Sequence, residues 1–321
     1  MNTTVIIPNY NGIDYLKKCI ASLNKSNYKD FEVIVVDNGS ADGSADWMKA
    51  EHPEIRLISL KENLGFAPAV NLGIEAAFTK YVLLLNNDTE VDPDMVERLE
   101  KAIDEDEKIF SVSAKMLSLH NPELIDGAGD YYCALGWAYA YGKGKKASEK
   151  CLKKKEIFSA CAGCAIYRRD ILIEIGRFDE RHFAYLEDVD LGYRARINGY
   201  VNLYEPEAVC LHAGSAFSGS RYNEFKIDLS SRNNVYLIWK NMPLFQLLLN
   251  LPFLLVGFLI KILFFILKGY GKTYCKGLIK GVSMSLNKEG RSKKVPFRWK
   301  NLPSLIKIQI ELWIGIIHRL C

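Results

Sequence analysis

Acidic and imidazole side chains stand at four points of the sequence that follow short apolar runs. They are Asp37, Asp88, the segment Glu187-Asp188-Val189-Asp190, and His212. Carboxylates and imidazoles accept protons, accept hydrogen bonds from nucleotides and coordinate divalent cations. These four points are therefore the candidates for chemistry in this chain.

Asp37 and Asp88 have the chemistry of a nucleotide site. A carboxylate at the end of a strand can accept hydrogen bonds from a nucleobase imide or a ribose hydroxyl, as expected for Asp37. Asp88, within Asn86-Asn87-Asp88-Thr89, can hold Mg²⁺ together with a diphosphate, because one carboxylate plus phosphate oxygens suffices for this ion. A turn or helix cap is the alternative, and Asp42 beside Gly43 fits it better than Asp37 does. The sequence has no GxGxxG or GxxxxGK[ST] motif, which disfavours a dinucleotide cofactor and a P-loop.

Glu187, Asp188 and Asp190 crowd three negative charges into four residues. Carboxylates this close repel one another, which raises the proton affinity of at least one unless a ligand or a cation intervenes. The dipole at a helix start would stabilise two of them, and the third is left for general-base chemistry at a substrate hydroxyl. His212 is either a core histidine or a metal ligand at a strand end.

Alternating β-branched runs and amphipathic stretches must position these residues. The pattern predicts strands at residues 4–8, 31–37, 55–60, 80–86 and 157–168, and helices at residues 13–23, 67–78 and 93–103, the last with Pro93 in its first turn. This alternation is typical of an α/β fold with a mostly parallel sheet, whose ligand site lies at the carboxyl ends of the strands. The lysine-dense segment 143–155 is expected to be a solvated loop rather than a phosphate or lipid contact.

Five short motifs follow one another along the first two thirds of the chain. They are Pro8-Asn-Tyr-Asn-Gly12, Val35-Val-Asp-Asn-Gly-Ser40, Glu62-Asn-Leu-Gly-Phe-Ala67 with Asn71, Leu84-Leu-Asn-Asn-Asp-Thr89, and Glu187-Asp188. In this order and spacing they resemble the inverting glycosyltransferases of family-two type with the GT-A fold, in particular the rhamnosyltransferase-like branch. The resemblance covers roughly residues 3–240 and implies a Rossmann-like GT-A domain that uses a nucleoside-diphosphate sugar.

The resemblance also implies roles for individual residues. Asp188 would be the general base, and Glu187 beside it would orient the acceptor or the sugar. Asp88 would be the principal metal ligand, because Asn86 stands where the family has the first acid of its DxD motif, and His212 would complete the metal and diphosphate environment. The stretch Ala162-Gly163-Cys164 would face the acceptor. The residues implied to contact or shape the nucleotide are Pro8, Tyr10, Asp37, Asn63, Gly65, Asn71, Asn86 and Asn87.

Charge divides the chain into two parts. Residues 226–321 hold 16 basic and three acidic side chains, a net charge of +13, whereas residues 1–225 carry a net charge of −9. The basic part contains the uncharged stretch 244–260, interrupted by Pro252, and a second apolar helix candidate at residues 302–320. We therefore predict a catalytic domain at residues 1–225 and a helical region at residues 226–321 that associates with an anionic membrane. The apolar segments either span the bilayer or lie in its interface, and a buried hairpin of a soluble domain is the alternative.

The resemblance and the charge division together predict a glycosyltransferase of cell-surface polysaccharide synthesis at the cytoplasmic face of the membrane. It would use Mg²⁺ or Mn²⁺ and would move one sugar, from dTDP-rhamnose or a UDP-sugar, to a saccharide or lipid-linked acceptor. Single transfer is favoured because Val295-Pro-Phe-Arg-Trp299 lacks the glutamine of the Gln-x-x-Arg-Trp signature of processive synthases. The N-terminal residues do not have the pattern of a secretory signal, and no nucleic-acid partner is expected.

Two alternatives belong to other functional classes. A sugar nucleotidyltransferase would need a basic, glycine-rich phosphate loop where this chain has Asn9-Tyr10-Asn11. An inactive GT-A scaffold or binding protein is opposed by the intact set of Asp37, Asp88 and Asp188.

Overall fold

Two strands at the centre of the fold consist of uninterrupted apolar runs. All side chains of Val5-Ile-Ile7 and Tyr81-Val-Leu-Leu-Leu85 are buried. Such a run is buried only in a strand that is covered on both faces, so helices must pack on both sides of the sheet. The computed structural model, which describes residues 1–148, 151–214 and 222–320, has this arrangement.

The described strands form one large sheet and a separate hairpin. They are Thr3–Asn9 (β1), Phe31–Asp37 (β2), Arg56–Ser59 (β3), Tyr81–Leu85 (β4), Thr89–Val91 (β5), Ile109–Ser118 (β6), Asn121–Gly127 (β7), Asp130–Cys133 (β8), Trp137–Ala140 (β9), Lys155–Ile157 (β10), Cys164–Arg168 (β11) and Val201–His212 (β12).

The sheet is mostly parallel along its main path, in the order β10-β12-β6-β11-β4-β1-β2-β3. The pairs β3–β2, β2–β1, β1–β4 and β6–β12 are parallel, and β11 runs antiparallel to both of its neighbours. β5 pairs with β12, β7 pairs with β6, and β8 and β9 form the separate hairpin. The prediction of a mostly parallel α/β sheet is confirmed.

Helices cover both faces of this sheet. The described helices are Ile13–Asn24 (α1), Ser44–Glu51 (α2), Phe66–Ala76 (α3), Met95–Asp104 (α4), Arg169–Glu174 (α5), Glu187–Ile197 (α6), Glu224–Asn241 (α7), Leu244–Leu267 (α8), Gly271–Leu286 (α9), Lys288–Ser292 (α10) and Leu302–Leu320 (α11). Val5 and Ile7 pack in one core with α1 and α4, whereas Ile6 points to the opposite core with α3, α5 and α6, as the two-residue period of a strand requires. A third core joins the β8–β9 hairpin and α6 to the C-terminal helices.

Three local predictions are wrong. The strand expected at residues 157–168 is divided, because the backbone of Phe158 and Ser159 leaves the sheet and pairs with Asp130 on β8. Pro93 precedes α4, which begins at Met95, and its carbonyl accepts hydrogen bonds from the segment after α1. α8 continues through Pro252, which is exposed, so the stretch expected to be interrupted there is one helix.

A buried ammonium group ties α7 to the sheet domain. Lys240 Nζ lies 2.7 Å from Asp179 Oδ2 and 2.8 Å from Asp190 Oδ2, and all three side chains are almost fully buried. Asp190 also accepts hydrogen bonds from Arg194 and Asn241. Burial alone would raise the pKa of the Asp190 carboxyl, but the charges of Arg194 and Lys240 outweigh it and hold this pKa far below its ordinary value. The predicted boundary at residue 225 falls at the start of α7, and the division into residues 1–225 and 226–321 stays a prediction.

Replacing Lys240 by Met should destabilise the protein by about 3–5 kcal/mol, because two buried carboxylates lose their shared partner. The control is Lys280→Met. Lys280 Nζ lies 2.8 Å from Asp228 Oδ1 but is more than half exposed, so its loss should cost no more than about 1 kcal/mol. Urea unfolding followed by tryptophan fluorescence measures both costs, and equal costs would contradict the importance of the buried cluster.

Candidate active site

A cleft with a volume of about 420 Å³ opens at the carboxyl ends of β1, β2 and β4. This is where an open parallel sheet presents its ligand site. The strands end there at Asn9, Asp37 and Leu85, so the polar residues that follow each strand meet at one edge. Ten of the twelve predicted site residues line the cleft: Pro8, Tyr10, Asn63, Gly65, Asn86, Asn87, Asp88, Glu187, Asp188 and His212.

Asp37 and Asn71, the other two predicted site residues, are not among the residues that line the cleft. Asp37 is 2% exposed and accepts hydrogen bonds from Asn9 Nδ2 at 3.0 Å and from the backbone N–H of Ser40 at 3.1 Å. Asn71 exchanges hydrogen bonds with the backbone of Phe178. Asp37 thus holds Asn9, which lines the cleft, whereas Asn71 holds Phe178, which does not. Direct contact of Asp37 and Asn71 with a nucleotide stays a prediction.

A chain of side-chain amides links the ends of β1, β2 and β4. Asn87 Nδ2 donates to Asn9 Oδ1 at 2.7 Å, and Asn9 in turn donates to Asp37. A Cβ atom at Gly12 would lie 2.2 Å from Asn87 Nδ2, so a larger residue there would displace this amide. The polar motifs of the three strands therefore form one hydrogen-bonded unit.

Asn38 joins the end of β2 to the loop before α3, and sequence reasoning did not select it. Its Nδ2 donates to Asn63 Oδ1 and to the carbonyl of Gly65, both at 3.0 Å, and its Oδ1 accepts from the backbone of Leu64. Gly65 has a φ of +99°, and a Cβ atom there would lie 2.6 Å from Phe183. Its place in the motif Val35-Val-Asp-Asn-Gly-Ser40 was the signal for it in the sequence.

Asp88 and His212 converge in the cleft although 123 residues separate them in the chain. β5 and β12 pair residue by residue, with Thr89 opposite His212, which brings the imidazole beside Asp88. His212 Nε2 lies 3.3 Å from Asp88 Oδ1, and His212 Nδ1 donates to Asp126 Oδ2 at 2.8 Å. Lys143 of the lysine-dense segment pairs with the other oxygen of Asp126 at 2.8 Å, and residues 149 and 150 of that segment lie outside the described residues.

This donor set fits a divalent cation. A carboxylate oxygen and an imidazole nitrogen face each other, and a second carboxylate orients the imidazole from behind, as is common for metal-binding histidines. Burial alone lowers the pKa of His212, but its hydrogen bonds to Asp126 and Asp88 outweigh burial and raise this pKa to about 9. His212 must therefore release a proton before its Nε2 can coordinate a cation.

Glu187 and Asp188 begin α6 and differ in their surroundings. Asp188 accepts a hydrogen bond from the backbone N–H of Val189 at 2.7 Å and another from that of Ala162. Burial raises the pKa of Asp188 to about 6 despite these bonds. Burial, together with the charge of Asp188, raises the pKa of Glu187 to about 8, and its Oε2 has no hydrogen-bond partner among the described residues. Asp188 is thus ionised at neutral pH, whereas most Glu187 is protonated.

Asp130 is a carboxyl partner of Asp188 that sequence reasoning missed. The two carboxyls are hydrogen-bonded, and burial together with the charge of Asp188 raises the pKa of Asp130 well above its ordinary value. A protonated Asp130 therefore donates to an ionised Asp188. Neither Asp126 nor Asp130 belongs to a motif in the sequence. The only sequence signal for a functional role was that each is an acidic residue in a strand-like segment.

The turn before these acids is strained and is held from α7. Phe183, Tyr185 and Leu186 have φ values between +62° and +72°, which residues other than glycine rarely adopt. Asn233 Nδ2 lies 2.8–2.9 Å from the carbonyls of His182, Ala184 and Tyr185. The carbonyl of Phe183 accepts from the first backbone N–H groups of α3. Contacts from two helices thus stabilise a backbone that would otherwise be unfavourable.

Comparison with known proteins gives one family model and several relatives. The model described as glycosyl transferase family 2 matches residues 4–176. The N-acetylglucosaminyl-diphospho-decaprenol L-rhamnosyltransferase of Mycobacterium tuberculosis is 27% identical over 233 residues, which are 65% of this chain and 75% of that protein. The predicted likeness to rhamnosyltransferases is confirmed.

Two solved structures have the same fold. The crystal structure of GalNAc-T7 with UDP, GalNAc and Mn²⁺ has a TM-score of 0.61 at 15% identity, over 75% of this chain and 48% of that one. The structure of S. aureus TarS 1-349 with UDP-GlcNAc has a TM-score of 0.52 at 17% identity, over 96% of this chain and 79% of that one. At this identity the likeness shows the fold alone, and the predicted GT-A fold is confirmed.

Replacing Asp130 by Ala should raise the pKa of Asp188 above its value of about 6, because the ionised carboxylate loses a hydrogen-bond donor. Asp130→Asn is the matched control, since its amide can still donate. A titration of ¹³C-labelled aspartate carboxyls by NMR measures the change. An unchanged midpoint for Asp188 in the alanine variant would show that Asp130 does not stabilise the carboxylate.

Proposed function

Because the chain belongs to glycosyl transferase family 2, we propose that it transfers one sugar from a nucleoside-diphosphate donor to a saccharide or lipid-linked acceptor, with inversion at the anomeric carbon. The observation that carries this proposal is a single cleft that Asp88, His212 and Asp188 line together. Groups suited to a leaving diphosphate and a group suited to an attacking hydroxyl are therefore available in one site.

The donor end of the cleft consists of the strand-end residues. Pro8, Tyr10 and Asn63 would border the nucleoside, with Asn38 holding the loop that carries Asn63. Asp88 and deprotonated His212 would hold Mg²⁺ or Mn²⁺, and Asp126 would keep the imidazole oriented. A bound cation of this kind supplies positive charge to the departing diphosphate.

The acceptor end is assigned to the start of α6. The carboxylate of Asp188 removes the proton of the acceptor hydroxyl while the hydroxyl oxygen attacks the anomeric carbon. The bond from that carbon to the donor phosphate oxygen breaks on the opposite face, so the configuration inverts in one step. Protonated Glu187, with a free buried oxygen, is suited to donate a hydrogen bond to the sugar or the acceptor. Two neighbouring carboxyls whose pKa values differ in this way can divide the roles of base and donor.

The substrates and location are proposed from the relatives and the charge of the chain. The relative from M. tuberculosis is named for rhamnosyl transfer to a lipid diphosphate, which supports a rhamnose donor such as dTDP-rhamnose and a lipid-linked acceptor. The TarS structure contains UDP-GlcNAc, which supports a UDP-sugar as the alternative donor. The structure of GalNAc-T7 contains UDP and Mn²⁺, which supports the divalent cation. The basic region at residues 226–321 would hold the enzyme on an anionic membrane, at its cytoplasmic face.

Asp188→Asn should reduce transfer by about 10²–10⁴-fold while nucleotide binding survives, because general-base catalysis contributes that much and the amide cannot accept the proton. Transfer of radiolabelled sugar measures the rate, and calorimetry with the nucleoside diphosphate measures binding. Asp170→Asn, at an exposed acid on α5, is the control. Retained turnover in Asp188→Asn would overturn the assignment of the base.

Asp88→Ala should weaken Mn²⁺- or Mg²⁺-dependent binding of the nucleoside diphosphate by about tenfold or more, because the proposed metal site loses its carboxylate ligand. Asp92→Ala is the control, since Asp92 is an exposed acid that follows β5. Calorimetry with and without the cation measures the difference. Unchanged cation-dependent affinity in Asp88→Ala would remove Asp88 from the metal site.

A further inference from the structure

α8 is the one helix in the described part of the chain that is long and apolar enough to cross a membrane. Its 24 residues extend over about 36 Å, which exceeds the ~30 Å of a bilayer hydrocarbon core. Length therefore permits both a spanning helix and a helix that lies in the interface. The contacts on either side of α8 distinguish the two.

The helix that follows α8 packs against the helix that precedes it. A Cβ atom at Gly277 of α9 would lie 1.9 Å from Ser231 Oγ of α7, and one at Gly281 would lie 2.5 Å from the carbonyl of Arg232. Lys280 of α9 also pairs with Asp228 of α7. A single crossing by α8 would put α7 and α9 on opposite sides of the membrane, so it is incompatible with this close packing.

α11 returns to the sheet domain as well. Its Leu312 carbonyl accepts a hydrogen bond at 2.9 Å from the backbone N–H of Ala134, in the β8–β9 hairpin. Glu311 pairs with Arg196 of α6. The chain on both sides of α8 is thus anchored to one body.

The middle of α8 itself touches the β8–β9 hairpin. A Cβ atom at Gly257 would lie 2.0 Å from the carbonyl of Leu135, and Trp137 Nε1 donates to the carbonyl of Gly257 at 3.2 Å. If α8 spanned the bilayer, its midpoint would lie at the centre of the hydrocarbon core. The β8–β9 hairpin that contacts this midpoint would then lie in the hydrocarbon core as well. A hairpin with open edges cannot be exposed to hydrocarbon, because its backbone groups would lack partners.

The opposite side of α8 is an exposed apolar surface that continues onto α11. Asn250 and Gln309 exchange two hydrogen bonds of 2.8 Å and join the two helices side by side. We call the exposed apolar side chains of α8 and α11 together the apolar docking surface. It includes Leu248, Leu255, Leu259 and Leu263 of α8, each more than half exposed, and Ile306, Ile310, Trp313, Ile314 and Ile317 of α11.

We propose that the apolar docking surface lies in the interface of an anionic membrane leaflet and that α8 runs in the plane of the membrane without crossing it. This deepens the membrane contact of the proposed function and rests on that function only for the lipid-linked acceptor. Exposed basic residues flank the surface, among them Lys268, Lys272, Arg298 and Lys300. A second copy of the chain would bring the same positive charge to the surface, whereas an anionic leaflet complements it.

The arrangement also accounts for access to the cleft. Phe225 and Lys226 line the cleft at the start of α7, and Tyr222 just before them packs against Phe264 and Phe265 near the end of α8. The docked surface therefore adjoins the cleft. A lipid diphosphate in the same leaflet would meet the cleft at the level of the headgroups.

Lysine labelling in native membranes tests the in-plane orientation. The full chain is expressed in cells, and a membrane-impermeant amine reagent is applied to spheroplasts and to inverted vesicles. The labelled peptides are then mapped by mass spectrometry. Lys17 and Lys18 on α1 report the side of the sheet domain, and Lys276 and Lys288 report the side of the chain after α8; all four are exposed. Labelling of both sets from the same side is expected, and labelling from opposite sides would overturn the proposal.

Vesicle flotation tests the occupant of the surface. The purified chain should float with vesicles that contain phosphatidylglycerol and much less with phosphatidylcholine alone. The double variant Leu255→Asp with Leu259→Asp should lower the bound fraction by about tenfold or more, because charged side chains resist transfer to the interface. Ile173→Asp, at an exposed apolar residue of α5, is the matched control and should bind as the parent does.

Two flotation results would overturn the proposal: failure of the parent chain to float with anionic vesicles, and undiminished binding by the double variant. Thermal unfolding of each variant checks that it folds. Nucleotide binding, measured by calorimetry, does not depend on the membrane. A failure of the proposed function is thereby separated from a failure of the docking surface.

Discussion

The buried ammonium group of Lys240 is the interaction on which the active site depends. Asp190 lies on α6, three residues after Glu187, and a buried carboxylate is tolerable only when it is paired. Arg194 of α6 and Lys240 of α7 both pair with Asp190, and Lys240 binds Asp179 at the same time, which links α6 to α7. The orientation of α6 is therefore set by a residue that lies within the basic part of the sequence.

α7 acts on the same site a second time through Asn233. The strained turn before Glu187 is held by this amide, whose donor group reaches three carbonyls. α7 thus stabilises both the turn before α6 and the buried carboxylate of Asp190. The positions of Glu187 and Asp188 at the start of α6 therefore depend on α7. Since α9 packs on α7 and α8 connects the two, the apolar docking surface and the cleft are joined by continuous packing contacts.

Burial and hydrogen bonding give the carboxyls of the cleft different protonation states. Asp188 is ionised at neutral pH because backbone N–H groups and Asp130 donate to it, whereas the burial of Glu187 and the charge of Asp188 outweigh its one backbone hydrogen bond, so Glu187 holds its proton. On the other side, Asp126 is held ionised by His212 and Lys143, which leaves the His212 imidazole facing Asp88. The repulsion expected between the neighbouring carboxyls Glu187 and Asp188 is thus reduced, because one of them holds its proton.

The sequence by itself determined the parallel strands, the edge of the sheet that carries the site, and ten of the residues that line the cleft. The strands and the site edge follow from local rules, since strand period and apolar runs are visible within a few residues. Most of the ten residues came instead from motifs that resemble the family-two glycosyltransferases. Asp126, Asp130, Asn233 and Lys240 became visible only in the tertiary structure, because each acts on a partner distant in the chain. Whether α8 crosses a membrane is likewise undecided by its composition. It depends on the packing of α9 against α7 and of α11 against the β8–β9 hairpin and α6. Such long-range contacts produce no periodic pattern that could be recognised in the sequence.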